Sequence, residues 1–226
     1  MSSLDFTVVL ARWDMIMQGM YLTLKLTLIS TVFGFLVGTF CAIGKRGRTP
    51  WLRKLCGTYV EAIRNTPLLV QIFLVYFGLA SLGLKLDAVT VAAVALTINV
   101  GAYSAEIMRA GFDSIERGQI EAAETLGLTR AQVYWHVVLK QAMERVYPAL
   151  TSQFVLLMLA SSICSQISAE ELTAVANFIQ SDTYRPLETY IVTGLIYVAL
   201  SLLLRAAFWL LGLALFKRRR RLEVFA

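Results

Sequence analysis

Charge is what this chain has least of. Only 16% of its 226 residues are Asp, Glu, Lys or Arg, where a soluble domain carries about 25%. Hydrophobic residues reach 58% and the mean hydropathy is +0.66. They gather into stretches of the roughly 20 residues that take a helix across a hydrocarbon core about 30 Å thick. The chain reads as an all-α integral membrane protein with little left over for a soluble domain. Cysteine is scarce as well: Cys41, Cys56 and Cys164 share no metal-ligand or redox spacing and read as small buried hydrophobes. The single histidine, His136, has no second ligand, which removes both a metal site and a Ser–His constellation for intramembrane catalysis. No Gly-x-x-x-x-Gly-Lys-Ser/Thr stretch occurs, so no nucleotide site of that type is present. The N-terminus has no Lys or Arg before Asp5 and no clean small-residue cleavage site, and does not read as a cleaved signal. The chain also lacks an internal repeat and has one clear proline interruption, Pro67. Secondary transporters driven by ion gradients, the main alternative class, tend to show repeats and paired interrupted spans.

What is there is organised. About five spans are expected, over 20–43, 57–82, 89–108, 146–168 and 190–216. Lys45, Arg46, Arg48, Arg53 and Lys54 follow the first span. Arg109, Arg117, Arg130, Lys140 and Arg145 lie between the third and fourth, and Lys217 to Arg221 form the tail. The other side has Arg12, Lys85 and Arg185 among acids such as Asp5, Asp87, Glu170, Glu171 and Asp182. Cytoplasmic loops are the Lys/Arg-rich ones. This predicts an extracytoplasmic segment 1–19, a transmembrane domain 20–216 and a basic cytoplasmic tail 217–226, with the N-terminus outside. The net charge of +6 is thus mostly a topology signal, and no aromatic-interleaved basic surface suggests nucleic acid.

Between spans three and four, at about 114–140, the chain predicts a water-exposed helical hairpin. Residues 119–126 are good helix formers, with Glu121 expected near the favourable N-terminal end. Gly127 suits the left-handed position that ends a helix, with Leu128 supplying the apolar contact. Thr129 and Gln132 have capping-box spacing for a second helix, which Val133, Trp135, Val137 and Val138 carry back toward the bilayer. Ala122 and Ala123 leave a smooth face for close packing. Helices of one or two turns do not stand alone in water, so the hairpin calls for a partner.

The order Glu121-Ala122-Ala123, three residues, Gly127, nine residues, Val137, one residue, Leu139 resembles the cytoplasmic loop of ABC importer permeases; Lys140 stands where that family usually has proline. Arg64-Asn-Thr-Pro-Leu-Leu-Val-Gln71, Gly101-Ala-Tyr-Ser-Ala-Glu106, Arg109-Ala-Gly111 and Gly118-Gln119 are similar to signatures of the polar amino-acid permeases of the type I fold. The resemblance implies that Gly118, Glu121, Ala122, Ala123, Gly127, Thr129 and Arg130 form a coupling site for a cytoplasmic ATPase. It also implies two ATPase copies, a second permease subunit, identical or homologous, and a separate extracytoplasmic solute-binding protein, in a bacterial inner membrane. ATP and Mg would then sit on the ATPase, with no cofactor bound by this chain and no catalysis by it.

Candidate pathway residues follow from polarity at membrane depth. Pro67 removes a helix bond and frees a carbonyl one turn earlier, and Gln71 faces the same side. Arg64 and Thr66 flank this break, and Glu61 is spaced to pair with Arg64. The third span contributes Asn99, Tyr103 and Glu106, the last either a gate residue or a partner of Arg109. Ser161, Ser165 and Ser168 have helical spacing and serve either solute or helix contact. Many relatives of this kind have a lysine and an acid where this chain has Leu159 and Ala160. Either neutral groups hold its solute or a paired permease supplies the charge. Gly34 and Gly38 have the spacing of a close helix crossing.

Overall fold

The computed structural model describes residues 4–47 and 49–216; Arg48 and the basic tail 217–226 lie outside the described residues. Among those described there is no strand. A single turn, α1 (Thr7–Leu10), leads into α2 (Trp13–Arg46), which begins inside the segment expected to precede the first span. Then come α3 (Pro50–Arg64), α4 (Leu68–Ser81), α5 (Ala88–Asp113), and the hairpin helices α6 (Arg117–Thr125) and α7 (Arg130–Gln132). A π-helical stretch, Val133–Val138, joins α7 to α8 (Leu139–Ala160), and a 3₁₀ stretch, Ser161–Ile167, ends it. Helices α9 (Leu172–Thr183) and α10 (Pro186–Leu215) complete the chain.

Four of these runs are long and apolar enough to cross a membrane, and a fifth crossing exists only if α3 and α4 are taken as one. The interruption expected at Pro67 within 57–82 is there, but it is a sharp bend between two separate helices rather than a local break in one rod. The helices meet at 113°, because Pro67 cannot donate the bond that would continue α3, and residue 66 is pushed from the helical region.

Helices α2 and α5 form the frame. A Cβ added at Gly34 would come within 2.2 Å of a Val100 methyl, and one at Gly38 within 2.7 Å of the Gly101 carbonyl oxygen. The two glycines therefore let the backbones approach as their spacing predicts. Leu26, Leu96, Val100, Met108, Phe112 and Leu157 are buried around this crossing. Helix α10 is the outermost rod: 11% of its most apolar stretch is buried, against 56% for α5. Most of its surface is thus available to lipid or another subunit.

At the end remote from the hairpin, Glu171 is fully buried, unlike the loop acid expected there. It caps α9 by accepting from the Ala174 amide at 2.9 Å and accepts a 2.8 Å bond from the Tyr197 hydroxyl. Thr23 donates to it at 3.5 Å, tying α2, α9 and α10 to one carboxylate.

Candidate functional site

The hairpin is built by local rules. Helix α6 begins at Arg117, two residues earlier than expected, so Glu121 falls in its second turn rather than at the dipole-favoured start. Gly127 has φ +81°; its amide donates to the Glu124 carbonyl at 2.9 Å, and that of Leu128 to Ala123 at 3.2 Å. These two bonds are a Schellman motif, with Leu128 packed toward the core. Thr129 and Gln132 complete the capping box, Thr129 N–H donating to Gln132 Oε1 at 2.8 Å. The carbonyls and amides at the elbow are therefore largely satisfied without a partner.

The side chains are not. Glu121, Ala122 and Arg130 are exposed, with Leu126 at 80% and Trp135 at 61%. Ala123, by contrast, turns inward and is buried against the spans, so the smooth outward face narrows to Ala122 and its neighbours. Gly118 opens α6 with nothing within 4 Å of an added Cβ. The sequence signalled the caps; the bare Leu126 and Trp135 were legible only as apolar residues in a polar loop. His136 is exposed and bonds the Gln132 carbonyl.

The second polar assembly sits where α3 breaks from α4. The carbonyl that Pro67 leaves without its helical donor is that of Ile63. Gln71 Nε2 reaches it at 2.7 Å, and also meets the Thr66 carbonyl at 3.0 Å and hydroxyl at 2.9 Å. Gln71 Oε1 accepts from Asn99 Nδ2 at 2.8 Å, which fastens the break to α5. Arg64 lies 5.8 Å over the Tyr103 ring, turned to α5 rather than to Glu61, whose carboxylate accepts from Asn65 instead. Thus Arg64, Thr66, Pro67, Gln71, Asn99 and Tyr103 form one neighbourhood. Glu106 does not join it. Its oxygens accept from Lys45 at 3.2 Å and from Arg109, and Arg109 goes on to Asp113 at 2.6 Å. This network clamps α2 to α5 at the hairpin end, a link between spans that no local spacing reveals.

The serines separate for a geometric reason. The stretch 161–167 is wound at about three residues per turn. Ser161, Cys164 and Ile167 therefore share a buried face, while Ser162, Ser165 and Ser168 point the other way. Ser161 and Ser165 each donate to a carbonyl three residues back, at 2.7 and 2.8 Å. Only Ser165 and Ser168 line a polar cleft, of about 420 Å³, with Gln18, Glu170 and Asn177. The expectation that Ser161 and Ser165 share one face is corrected.

The chain as a whole, with its broken helix and its self-capped elbow, is similar to known proteins. Residues 34–217 match the family model of the binding-protein-dependent transport system inner membrane component. The octopine transport system permease protein OccM of Rhizobium meliloti is 34% identical over 91% of this chain and 88% of its own length. The probable glutamine ABC transporter permease protein GlnM of Bacillus subtilis is 36% identical over 88% of this chain and 92% of its own. Among solved structures, an amino acid ABC transporter crystallised with histidines superposes with a TM-score of 0.86 at 37% identity, covering 93% of this chain and 99% of the other. The methionine transporter MetNI gives 0.76 at 20% identity over 91% and 98%, a likeness of fold. This chain belongs to the binding-protein-dependent transport inner membrane components, the multi-pass permease subunits of ABC transporters.

Proposed function

We propose that this permease carries a polar amino acid or a derivative of one inward, as half of a pathway completed by a second permease subunit, identical or homologous. Two copies of a separate ATPase drive it from the cytoplasm, and a separate solute-binding protein delivers the solute outside. The N-terminus is outside and the hairpin inside, as the lysine and arginine distribution requires. ATP and Mg belong to the ATPase. The solute class is supported by relatives named for octopine, glutamine and arginine. Leu159 and Ala160, where a lysine and an acid are common, leave this subunit's share of the pathway to neutral groups such as Gln71 and Asn99, with any charge supplied across the interface.

One observation carries the coupling reading. The elbow satisfies its own backbone yet exposes Glu121, Ala122, Leu126 and Trp135 together, which is the anatomy of a surface made to be covered. A closing ATPase pair moves that surface, and the rigid α5 and α8 transmit the movement to the Pro67 break.

The test is reconstitution with the ATPase and binding protein in liposomes. Glu121→Lys should insert and assemble normally, hydrolyse ATP and fail to transport. Full transport by this variant, or solute uptake without hydrolysis of ATP, would refute the reading.

A further inference from the structure

Beneath the hairpin lies a cleft of about 350 Å³ whose composition is unlike that of the other cavities. Its walls are apolar, contributed by Ile43 of α2, Phe112 of α5, and Ile120 and Val133 of the hairpin. Two guanidinium groups, Arg46 and Arg130, also line it. Arg46 stacks over the Phe112 ring at 5.8 Å, and Phe112 in turn packs on Tyr134 at 5.7 Å between centroids. Tyr134 lines the same wall, and its hydroxyl is buried with no hydrogen-bond partner among the described residues. A buried hydroxyl is normally matched by a partner.

The charges are incompletely matched too. Asp113 lies 3.4 Å from Arg46 but is held more closely by Arg109, at 2.6 Å. Arg130 has no carboxylate within 4 Å among the described residues. One acid, the exposed Glu124, stands on the wall. Two cations against one acid, with Asp113 nearby, suit a single negative charge better than two. That favours a phosphodiester over inorganic phosphate or a phosphomonoester. The cleft also sits where the apolar run of α2 gives way to Lys45 and Arg46, the depth of a headgroup layer. Basic pockets at the cytoplasmic ends of membrane helices suit anionic lipid headgroups.

We infer that this cleft binds the phosphodiester headgroup of an anionic phospholipid, the phosphate oxygens accepting from Tyr134, Arg46 and Arg130 while the chains follow Ile43 and Phe112 into the bilayer. The lipid bridges the underside of the hairpin to α2, so it stiffens the elbow. The inference rests on the hairpin end facing the cytoplasmic leaflet, and its test does not involve transport.

The full-length chain with its ATPase would be placed in nanodiscs of phosphatidylcholine alone or doped with phosphatidylglycerol. Lipid retained on release is then counted by native mass spectrometry, and hydrogen exchange is followed over 117–134. Phosphatidylglycerol should be retained and should slow exchange there. Tyr134→Phe, which keeps the ring packing, should weaken retention about tenfold; Arg46→Gln should weaken it further, and Glu124→Gln should tighten it. Equal retention across the variants, or equal protection by millimolar inorganic phosphate in phosphatidylcholine discs, overturns the inference. Retention as expected with transport still intact in Glu121→Lys would sink the coupling assignment and leave the lipid site standing.

Discussion

The chain breaks its helices at Pro67 and again at Gly127, and handles the two breaks in opposite ways. At Pro67 the backbone cannot satisfy itself, so a side chain from the next turn, Gln71, is spent on the Ile63 and Thr66 carbonyls and is itself held by Asn99. At Gly127 the backbone closes its own bonds through the Schellman pair and the capping box, and side chains are left over. The difference follows from solvent. In a segment apolar enough to enter a bilayer, an orphan carbonyl has no water to turn to. At a wet elbow, water covers lapses, and bare apolar side chains are free to seek a partner. A break sealed by side chains is a fixed joint; a break sealed by backbone is a handle.

The largest effect should come from unsealing the fixed joint. Gln71→Leu removes the short bonds to the Ile63 and Thr66 carbonyls and takes the acceptor from the buried Asn99 Nδ2, a loss of about 1–3 kcal/mol at Asn99 alone. Thermal unfolding of the purified complex should shift down sharply and transport should be lost. A wild-type melting curve would mean water already fills the break. Next is Gly127→Val. A β-branched residue at φ +81° costs about 1–2 kcal/mol or more in backbone strain, spent locally. The yield of ATPase-bound complex should fall while the unbound permease melts almost as before; unchanged yield would detach the elbow's geometry from docking. Thr129→Ala should cost about 1 kcal/mol through the lost cap. Its signature is faster amide exchange in 129–133 with the Pro67 region untouched, and equal acceleration in both regions would show that the two joints are not independent.

The smallest effect should come from a third polar knot, Glu171. Burial raises its carboxyl above the ordinary carboxylate range, against the bonds from Tyr197, Ala174 and Thr23 that favour the anion. An acid whose folded pKa is raised binds its proton more tightly in the folded state, so folding gains stability as pH falls through the raised value. The cost is fully present above it. Glu171→Gln removes the titration, so the variant's stability relative to the parent should be highest above that pH and should diminish under acid. Parallel melting-temperature profiles against pH would show that Glu171 titrates normally.

How much of this was legible beforehand divides along the same line. The caps at Gly127, Thr129 and Gln132 are local rules and read directly from spacing. So did a close crossing at Gly34 and Gly38 and the side on which Gln71 lies, though α5 as the partner and the bond from Gln71 to the Ile63 carbonyl came only with the structure. The 113° bend did not, because hydropathy counts residues and is blind to direction. The serine faces failed because 3₁₀ winding was not foreseen, and Ala123 because the hairpin's inner side is set by its packing on the stretch Val133–Val138 rather than by its own sequence. The Lys45–Glu106 link and the burial of Glu171 join residues far apart in the chain, where no periodicity speaks.

The π-wound stretch Val133–Val138 sits between the handle and α8. A π-wound turn interrupts the i→i+4 ladder of the helices on either side of it and is a common place for a helix to bend. The way from the elbow to α8 thus runs through an interrupted α ladder, whereas the way to α5 runs through the buried Ile115 and Phe112. Under the coupling proposed above, the two rods leaving the hairpin would not receive the motion equally, and the stroke delivered to the membrane would be a tilt rather than a straight push.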